Sequence, residues 1–216
     1  MRHLLHLDSS LRTEGSRSRK LSAYYAEAWR AQHPDGTITY RDLNADPVPH
    51  LDIEAFTANF LAPSDRTPAQ AAARDYAETL TGELLAADTI VVGLPLYNFT
   101  VPSTFKAWID RIVVPGVTIG AGGGLLGGRN IIFTTARGGG YGPGTPREGW
   151  DHREPWLRHV LSQVGLTDVT FVDTELTLAR ESPGMIPLDL GGAEDRSMAD
   201  AHATIDALFE RAAIAS

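Results

Sequence analysis

The 216-residue sequence contains no cysteine, which excludes disulfide bonds, thiolate metal sites and a cysteine nucleophile. It has no run of about 20 apolar residues of the kind that spans a bilayer, and its start, MRHLLHLDSS, is too short and too interrupted for a signal peptide. Its 27 acidic residues outnumber its 19 basic ones, which argues against a broad nucleic-acid surface. From these absences we expect a cytoplasmic protein that binds neither membranes nor nucleic acids.

The sequence also lacks the short motifs of several enzyme classes. It contains no P-loop, no H-E-x-x-H metal motif and no G-x-S-x-G hydrolase elbow, and its seven histidines show no metal-ligand spacing. Residues 122–127 match G-x-G-x-x-G, but they follow a helical pattern and lead into a strand, the reverse of a dinucleotide-binding fingerprint. Neither a metal site nor a hydrolase is expected.

What the sequence does contain is a regular alternation of strand and helix patterns. Five apolar runs are typical of β-strands, at residues 3–8, 37–43, 88–96, 129–136 and 167–176. The first, third and fourth are apolar on both faces, as in a parallel sheet covered by helices on both sides. Among the helix starts, we expect an N-cap at Thr100 and a capping box formed by Asp151 and Glu154. The pattern indicates one α/β domain over residues 1–216.

A ligand of such a sheet is expected outside the carboxyl ends of the strands, where the winding reverses. In the strand order 2-1-3-4-5 this crevice lies between strands 1 and 3. The loop after strand 1, SSLRTEGSRS, offers hydroxyl groups and arginines just before a helix, a setting that suits a phosphate. The alternative is an ordinary serine N-cap in a polar loop.

The loop after strand 3 is the second unusual feature of the crevice. Its sequence, PLYNFT (95–100), places Tyr97 and Phe99 around the amide of Asn98. Aromatic rings can pack on a flat heterocycle, and the amide can donate and accept hydrogen bonds along its edge. The alternative is that both rings merely close the end of the sheet.

A glycine-rich loop, TTARGGGYGPG (134–144), follows strand 4. Consecutive glycines let the backbone approach a ligand closely, and their N–H groups could bind a carbonyl-like oxygen. From Gly140 onward we interpret the segment as an ordinary surface loop. A phosphate site, an aromatic wall and a glycine edge together fit a flat heterocycle that carries one phosphate, which describes FMN.

In these loops the sequence resembles the FMN-dependent NADH-azoreductases, which are also described as FMN-dependent NADH:quinone oxidoreductases. The resemblance rests on S-x-x-x-x-x-S-x-S from Ser10 to Ser18, P-x-Y-N-F at 95–99, A-R-G-G at 136–139 and GVTI at 116–119, and it covers nearly the whole chain. It implies a flavodoxin-like three-layer α/β/α sandwich with a five-stranded parallel sheet of order 2-1-3-4-5. It also implies a homodimer with the active sites at the subunit interface.

The resemblance implies a set of cofactor-binding residues and no catalytic side chain. The phosphate would be bound by Ser10, Ser16, Arg17 and Ser18. The isoalloxazine would lie along Pro95, Leu96, Tyr97, Asn98 and Phe99. Its pyrimidine edge would be flanked by Ala136, Arg137, Gly138 and Gly139. NADH, or NADPH, would reduce the flavin, and a quinone or aromatic azo compound would then take the same place, which gives ping-pong kinetics.

The sequence departs from the family pattern at three places. Ala136 stands where serine is common, the segment after GVTI is a glycine-rich stretch (120–128) in place of an aromatic residue, and the 140–150 loop is longer than usual. We expect the glycine-rich stretch to form a mobile, roomy lid over the substrate pocket.

Two other functions remain open at this level. A flavodoxin-like electron carrier would bind the flavin but would not oxidise NADH with a small quinone, and a flavin-free binding module would purify colourless.

Overall fold

The structure is a computed structural model that describes residues 2–215, with side chains described as far as residue 211. Its centre is a sheet of five parallel strands: β1 (His3–Asp8), β2 (Thr37–Asp42), β3 (Thr89–Pro95), β4 (Asn130–Ala136) and β5 (Asp168–Thr174). The order is β2-β1-β3-β4-β5 and every neighbouring pair is parallel. The predicted topology is confirmed, and the switch point lies between β1 and β3.

Six α-helices connect and cover these strands. They are α1 (Arg17–Gln32), α2 (Ile53–Ala58), α3 (Pro68–Ala86), α4 (Ser103–Ile112), α5 (Arg153–Val164) and α6 (Gly191–Ala215). Short 3-10 turns occur at Pro63–Asp65 and Ile186–Leu188. None of the helices within residues 2–215 is long and apolar enough to cross a membrane.

Two apolar cores lie on opposite faces of the sheet, because successive side chains of a strand point to opposite faces. Leu5 and Leu7 of β1 join the core beneath α3, α4 and α5, which includes the fully buried Phe105. Leu4 joins the core beneath α1 and α6, together with Ile205. Each fully buried side chain of this kind contributes about 1.5–3 kcal/mol. The expected three-layer sandwich, apolar on both faces, is confirmed.

The parallel register of β1 and β3 also places a buried carboxylate beneath the ligand edge. Asp8 pairs with Gly93 in that register. A Cβ at Gly93 would lie 2.1 Å from the Asp8 carboxylate, so only glycine leaves room for it. The small residue in the middle of an apolar strand is therefore explained by the acid beside it.

Two predicted helix caps are wrong. Helix α4 begins at Ser103 with Pro102 in the N-cap position, because Thr100 is held in a backbone turn with Tyr97. Helix α5 has His152 in the N-cap position and no side-chain cap.

The predicted capping box does not form, because α5 begins one residue later than the box requires: Asp151 Oδ1 accepts from the backbone N–H of Arg153, the first helical residue, at 2.9 Å, and both predicted carboxylates bind arginines. Asp151 forms ion pairs with Arg137 and with the fully buried Arg153, at 3.2 and 2.9 Å. Glu154 pairs with Arg158 one helical turn later, at 2.8 Å. A buried guanidinium that needs a counter-charge outweighs a helix cap worth about 1 kcal/mol.

The glycine-rich stretch 120–128 is packed against the C-terminal end of α5. It forms a small hairpin, Ile119–Gly120 paired with Gly123–Gly124. A Cβ at Gly124 would lie 1.9 Å from the backbone nitrogen of Gly165, so this glycine permits a backbone-to-backbone contact. Leu126, just beyond, is fully buried. The stretch does not line the cavity described below, and its expected role as a lid over a substrate pocket stays a prediction.

Candidate functional site

The loop between β1 and α1 presents buried hydroxyl groups at the carboxyl edge of the sheet. Ser10, Ser16 and Ser18 are each no more than 6% exposed. Ser16 is the N-cap of α1, where its Oγ accepts a hydrogen bond from the backbone N–H of Arg19. Its Oγ also lies 3.3 Å from that of Ser18. The predicted serine N-cap and the predicted hydroxyl cluster are therefore the same feature.

Arg19 fixes the shape of this loop from below. One of its nitrogens donates to the carbonyl of Ser10 at 2.8 Å, and the guanidinium binds both oxygens of Asp42 at 2.8 Å. The same group lies 3.6 Å from the carboxylate of Asp8. A guanidinium held on both sides in this way positions the loop and is not free to bind a ligand.

The other two arginines of the loop are also paired with carboxylates. Arg17 binds Glu194 of α6 at 2.6 and 3.0 Å, and Glu194 is 1% exposed. Arg12 binds both oxygens of Glu181, one of them at 2.9 Å. The positive charge that the sequence places around the serines is therefore largely neutralised by the C-terminal part of the chain.

The loop after β3 is a tight backbone turn. Tyr97 and Thr100 exchange two backbone hydrogen bonds, at 2.9 and 3.0 Å. Between them, Asn98 and Phe99 have φ angles of 47° and 69°. Asparagine tolerates this left-handed region, but for phenylalanine it costs about 1 kcal/mol. Backbone strain of this kind concentrates at functional sites.

The side chains of this turn join the other two loops. The Tyr97 hydroxyl accepts from the backbone N–H of Leu11 at 3.1 Å and lies 3.4 Å from Ser10 Oγ. The Phe99 ring meets Trp150 edge to face, with centroids 5.5 Å apart. The Tyr97 hydroxyl therefore links its own turn to the loop after β1. Neither of the two sequence-based interpretations included this role.

In the loop after β4, Arg137 supports the site from behind. Its guanidinium binds Asp173 at 2.6 Å and Asp151 at 3.2 Å, and its Nε lies 3.3 Å from Glu175. The backbone continues through Gly138, where a Cβ would lie 2.7 Å from the side chain of Leu178. The glycine allows the segment after β5 to close over the loop.

The three loops enclose one cavity of about 230 Å³. It is lined by Ser10, Ser16, Arg17, Pro95, Leu96, Tyr97, Ala136 and Gly138 of the predicted set. The remaining predicted residues, Ser18, Asn98, Phe99, Arg137 and Gly139, do not line it. An adjoining cavity of about 500 Å³ shares Tyr97 and is lined by Asn98 and Trp156 among others.

Several residues that line the first cavity are not among those predicted from the sequence, namely Arg12, Gly15, Tyr141, Arg147, Thr177 and Leu178. Thr177 and Leu178 follow the carboxyl end of β5, so the topological argument used for the other loops applies to them too. Tyr141 and Arg147 belong to the segment interpreted as a plain surface loop. The sequence signal for these two residues was the presence of an aromatic side chain and an arginine in a glycine- and proline-rich loop that follows a strand.

Beneath the first loop, burial shifts the pKa values of an acid and a histidine in the direction that favours their neutral forms. Burial raises the pKa of Asp8 to about 6, against the opposing effects of hydrogen bonds from Ser22 and Tyr40 and of the nearby Arg19. Burial also lowers the pKa of His6 to about 4, and Arg19 adds to this effect. These two groups are 3% and 7% exposed and lie 3.6 Å apart.

A larger cavity, of about 720 Å³, opens at the opposite edge of the sheet, lined by Trp29, His33 and Asn130 among others. It lies at the amino ends of the strands, whereas doubly wound sheets bind ligands at the carboxyl ends. We therefore place the candidate site in the smaller cavity.

Comparison with known proteins agrees with this fold. The profile of the family described as flavodoxin-like fold matches residues 2–185. An FMN-dependent NADH:quinone oxidoreductase of Frankia casuarinae is 49% identical over 187 residues, which cover 86% of this chain and 89% of that protein. FMN-dependent NADH:quinone oxidoreductase 2 of Trichormus variabilis is 44% identical over 207 residues, 93% of this chain and 95% of that protein.

Among solved structures, the FMN-dependent NADH-azoreductase of Bacillus anthracis in complex with FMN superimposes with a TM-score of 0.79 at 21% identity. The match covers 98% of this chain and 99% of that one, which supports the fold. By its sequence and its fold, the chain belongs to the flavodoxin-like family that contains the FMN-dependent NADH:quinone oxidoreductases.

Proposed function

We propose that the protein is an FMN-dependent oxidoreductase that uses NADH to reduce quinones, with aromatic azo compounds as further acceptors. The observation that carries this proposal is the convergence of three loops on one cavity, where hydroxyl groups, an aromatic wall and a glycine edge lie side by side. The names of the curated relatives at 49% and 44% identity support the same reaction.

The first loop fits the phosphate of FMN. Ser10 and Ser16 line the cavity, and the backbone N–H groups of Arg17 and Ser18 have no acceptor among the described residues. Free N–H groups at a helix N-terminus, together with hydroxyls, bind phosphate. Because Arg17 is paired with Glu194, this donor set is close to neutral, and the positive end of α1 supplies the favourable field.

The second and third loops fit a flat ring. Leu96 and Tyr97 supply apolar and aromatic surface, and Gly138 lets the backbone come close. Leu178, which lines the cavity, lies beside Gly138 and adds apolar surface on that side. The adjoining cavity beside Tyr97 offers room for a second flat molecule.

When bound, FMN supplies the redox chemistry, accepting a hydride from NADH and passing two electrons to the acceptor. The chain's own residues bind, orient and exclude water. No histidine, aspartate or glutamate appears in the described lining of either cavity, so we infer that protons for the reduced acceptor come from solvent. One shared place for donor and acceptor gives ping-pong kinetics.

We also propose that the chain acts as one flavin-binding domain that forms a homodimer in the cytoplasm, where NADH is available. A continuous surface beside the site supports the dimer: the exposed Phe56 and Phe60 lie in a groove that shares Trp156 with the cavity next to Tyr97. Exposed aromatic side chains that lie together beside a site are candidates for a protein interface. Light scattering of the purified protein tests it, and a monomer at micromolar concentration contradicts it.

The proposed reaction is tested on the purified protein reconstituted with FMN. We expect a yellow protein with one FMN per chain that oxidises NADH when menadione or an azo dye is added, and parallel double-reciprocal lines. A protein that binds FMN but transfers no electrons from NADH to menadione is an electron carrier. A protein that stays colourless after reconstitution contradicts the proposal altogether.

A further inference from the structure

The segment 140–150 contributes two side chains to the cavity that the resemblance did not assign. Tyr141 and Arg147 both line it, alongside the loops that hold the serines and Tyr97. Arg147 is an exposed residue at the rim of the cavity. A cation in this position requires a functional explanation.

Arg147 differs from the other arginines of the cavity in the state of its charge. Arg12 is paired with Glu181 and Arg17 with Glu194. Among the described residues, Arg147 has no carboxylate partner. It is therefore the lining arginine whose charge remains available to a ligand.

Neutral groups hold the Arg147 guanidinium in place. It lies over the Tyr141 ring, 5.7 Å from the centroid, and one nitrogen is 3.4 Å from the Tyr141 hydroxyl. The same nitrogen is 2.8 Å from the point where a Cβ of Gly139 would stand. Stacking on an aromatic face orients a guanidinium without cancelling its charge.

We propose that Arg147 stabilises the reduced, negatively charged form of a flavin bound in this cavity and thereby raises its two-electron reduction potential. This inference rests on the proposed function. The Arg147 guanidinium lies against Gly139, beside the glycine edge where the pyrimidine end of the ring is expected. Oxidised flavin is neutral there, whereas the reduced ring gathers negative charge, and charge close to the ring tunes its electronics. Arg147 therefore binds the two forms differently.

The experiment measures the affinity of the apoprotein for oxidised and for reduced FMN, and the midpoint potential of the complex. In Arg147→Gln we expect oxidised FMN to bind within about twofold of wild type and reduced FMN about fivefold more weakly, as for a solvent-exposed charge pair. For a two-electron couple, about fivefold corresponds to a fall of about 20 mV. The difference shrinks as salt is added.

Two further variants separate charge from structure. Arg147→Lys keeps the charge and should keep the potential, even if its turnover differs. Arg30→Gln makes the same change of net charge in the last turn of α1, at the amino edge of the sheet, and should leave the potential unchanged.

The inference is overturned if Arg147→Gln binds both forms as wild type does, or if Arg147→Lys loses as much as Arg147→Gln, since the side chain would then act only through packing on Tyr141. Failure of wild-type protein to bind FMN at all is a different result, because it refutes the proposed function itself.

Discussion

The loop before α1 and the loop after β4 enclose the same cavity, but they differ in whether the arginines that line it are paired with carboxylates. In the first loop, Arg12 and Arg17 line the cavity together with Ser10 and Ser16, and each of the two arginines is paired with a carboxylate. In the loop after β4, Arg137 is paired behind the site, whereas Arg147 faces the cavity unpaired among the described residues.

This difference indicates that the two ends of the cavity have different roles in binding a ligand. In the proposed complex, neutral donors such as Ser16 would bind the phosphate through fixed geometry, independently of the redox state of the rest of the ligand. An unpaired cation such as Arg147 would respond to charge that appears only on reduction. Arginine counts in a sequence do not distinguish these roles, because carboxylates distant along the chain decide which guanidinium stays free.

The largest effect is expected from Ser16→Asp. Aspartate caps a helix as well as serine does, so the stability of α1 should be kept. Its carboxylate would face the phosphate of FMN, and like charges brought together cost several kcal/mol. We expect FMN affinity to fall by about 100-fold, or about 3 kcal/mol, with little change in the thermal midpoint of the apoprotein.

Ser16→Thr, which keeps a hydroxyl, is the matched control and should retain binding. If Ser16→Asp binds FMN normally while folded, the phosphate does not lie beside this serine.

A second prediction concerns the buried pair beneath the first loop. The raised pKa of Asp8, about 6, adds stability that is complete below pH 3.8 and lost as the pH rises through 6. The lowered pKa of His6, about 4, adds stability that is complete above pH 6.5 and lost as the pH falls through 4. Between pH 7 and 5 the two contributions oppose each other.

His6→Gln removes the second contribution and leaves the first. Relative to wild type, its free energy of unfolding should rise by about 1–2 kcal/mol as the pH is lowered from 7 to 5. Urea titrations at both pH values measure this, with His159→Gln, an exposed position on α5, as the control. Parallel pH dependence in His6→Gln and wild type would show that His6 carries no such penalty.

The smallest effect is expected from Glu194→Gln, which frees Arg17. The buried carboxylate binds Arg17 and Arg180 at 2.6 and 2.7 Å. Without it we expect a loss of about 1–2 kcal/mol of stability and about threefold tighter binding of FMN through the unpaired guanidinium.

Asp195→Asn removes the other partner of Arg180, at 2.7 Å, and leaves Arg17 paired. It should leave FMN affinity unchanged. Unaltered or weaker FMN binding in Glu194→Gln would mean that Arg17 does not face the phosphate.

Much of the fold could be predicted because its signals are local. Apolar runs near 3–8, 89–95 and 130–136 are strands in the structure, and their alternation with helices predicts a parallel sheet, whereas the order of the strands was implied by the family resemblance. Helix starts were harder to predict. The carboxylate of Asp151 is a good cap by sequence, yet Arg137 and Arg153 bind it, and both partners are visible only in three dimensions.

The candidate site was predictable in position but not in the direction of each side chain. Tyr97 lines the cavity as expected, whereas Phe99, two residues on, turns to Trp150 because the left-handed turn reverses the chain. Arg137 follows the strand where a ligand is expected, but its guanidinium forms ion pairs with three carboxylates and does not line the cavity. The part that Tyr97, Phe99 and Arg137 play in binding a cofactor stays a prediction.

By itself, the sequence determined which residues stand at the carboxyl ends of the strands, because hydrophobic periodicity and glycine-rich turns act over a few residues. The tertiary structure decided which of those residues keep a free charge or a free hydroxyl. Glu181 and Glu194 lie more than 160 residues beyond the loop that they neutralise, and electrostatic pairing depends on distance in space, not on distance along the chain.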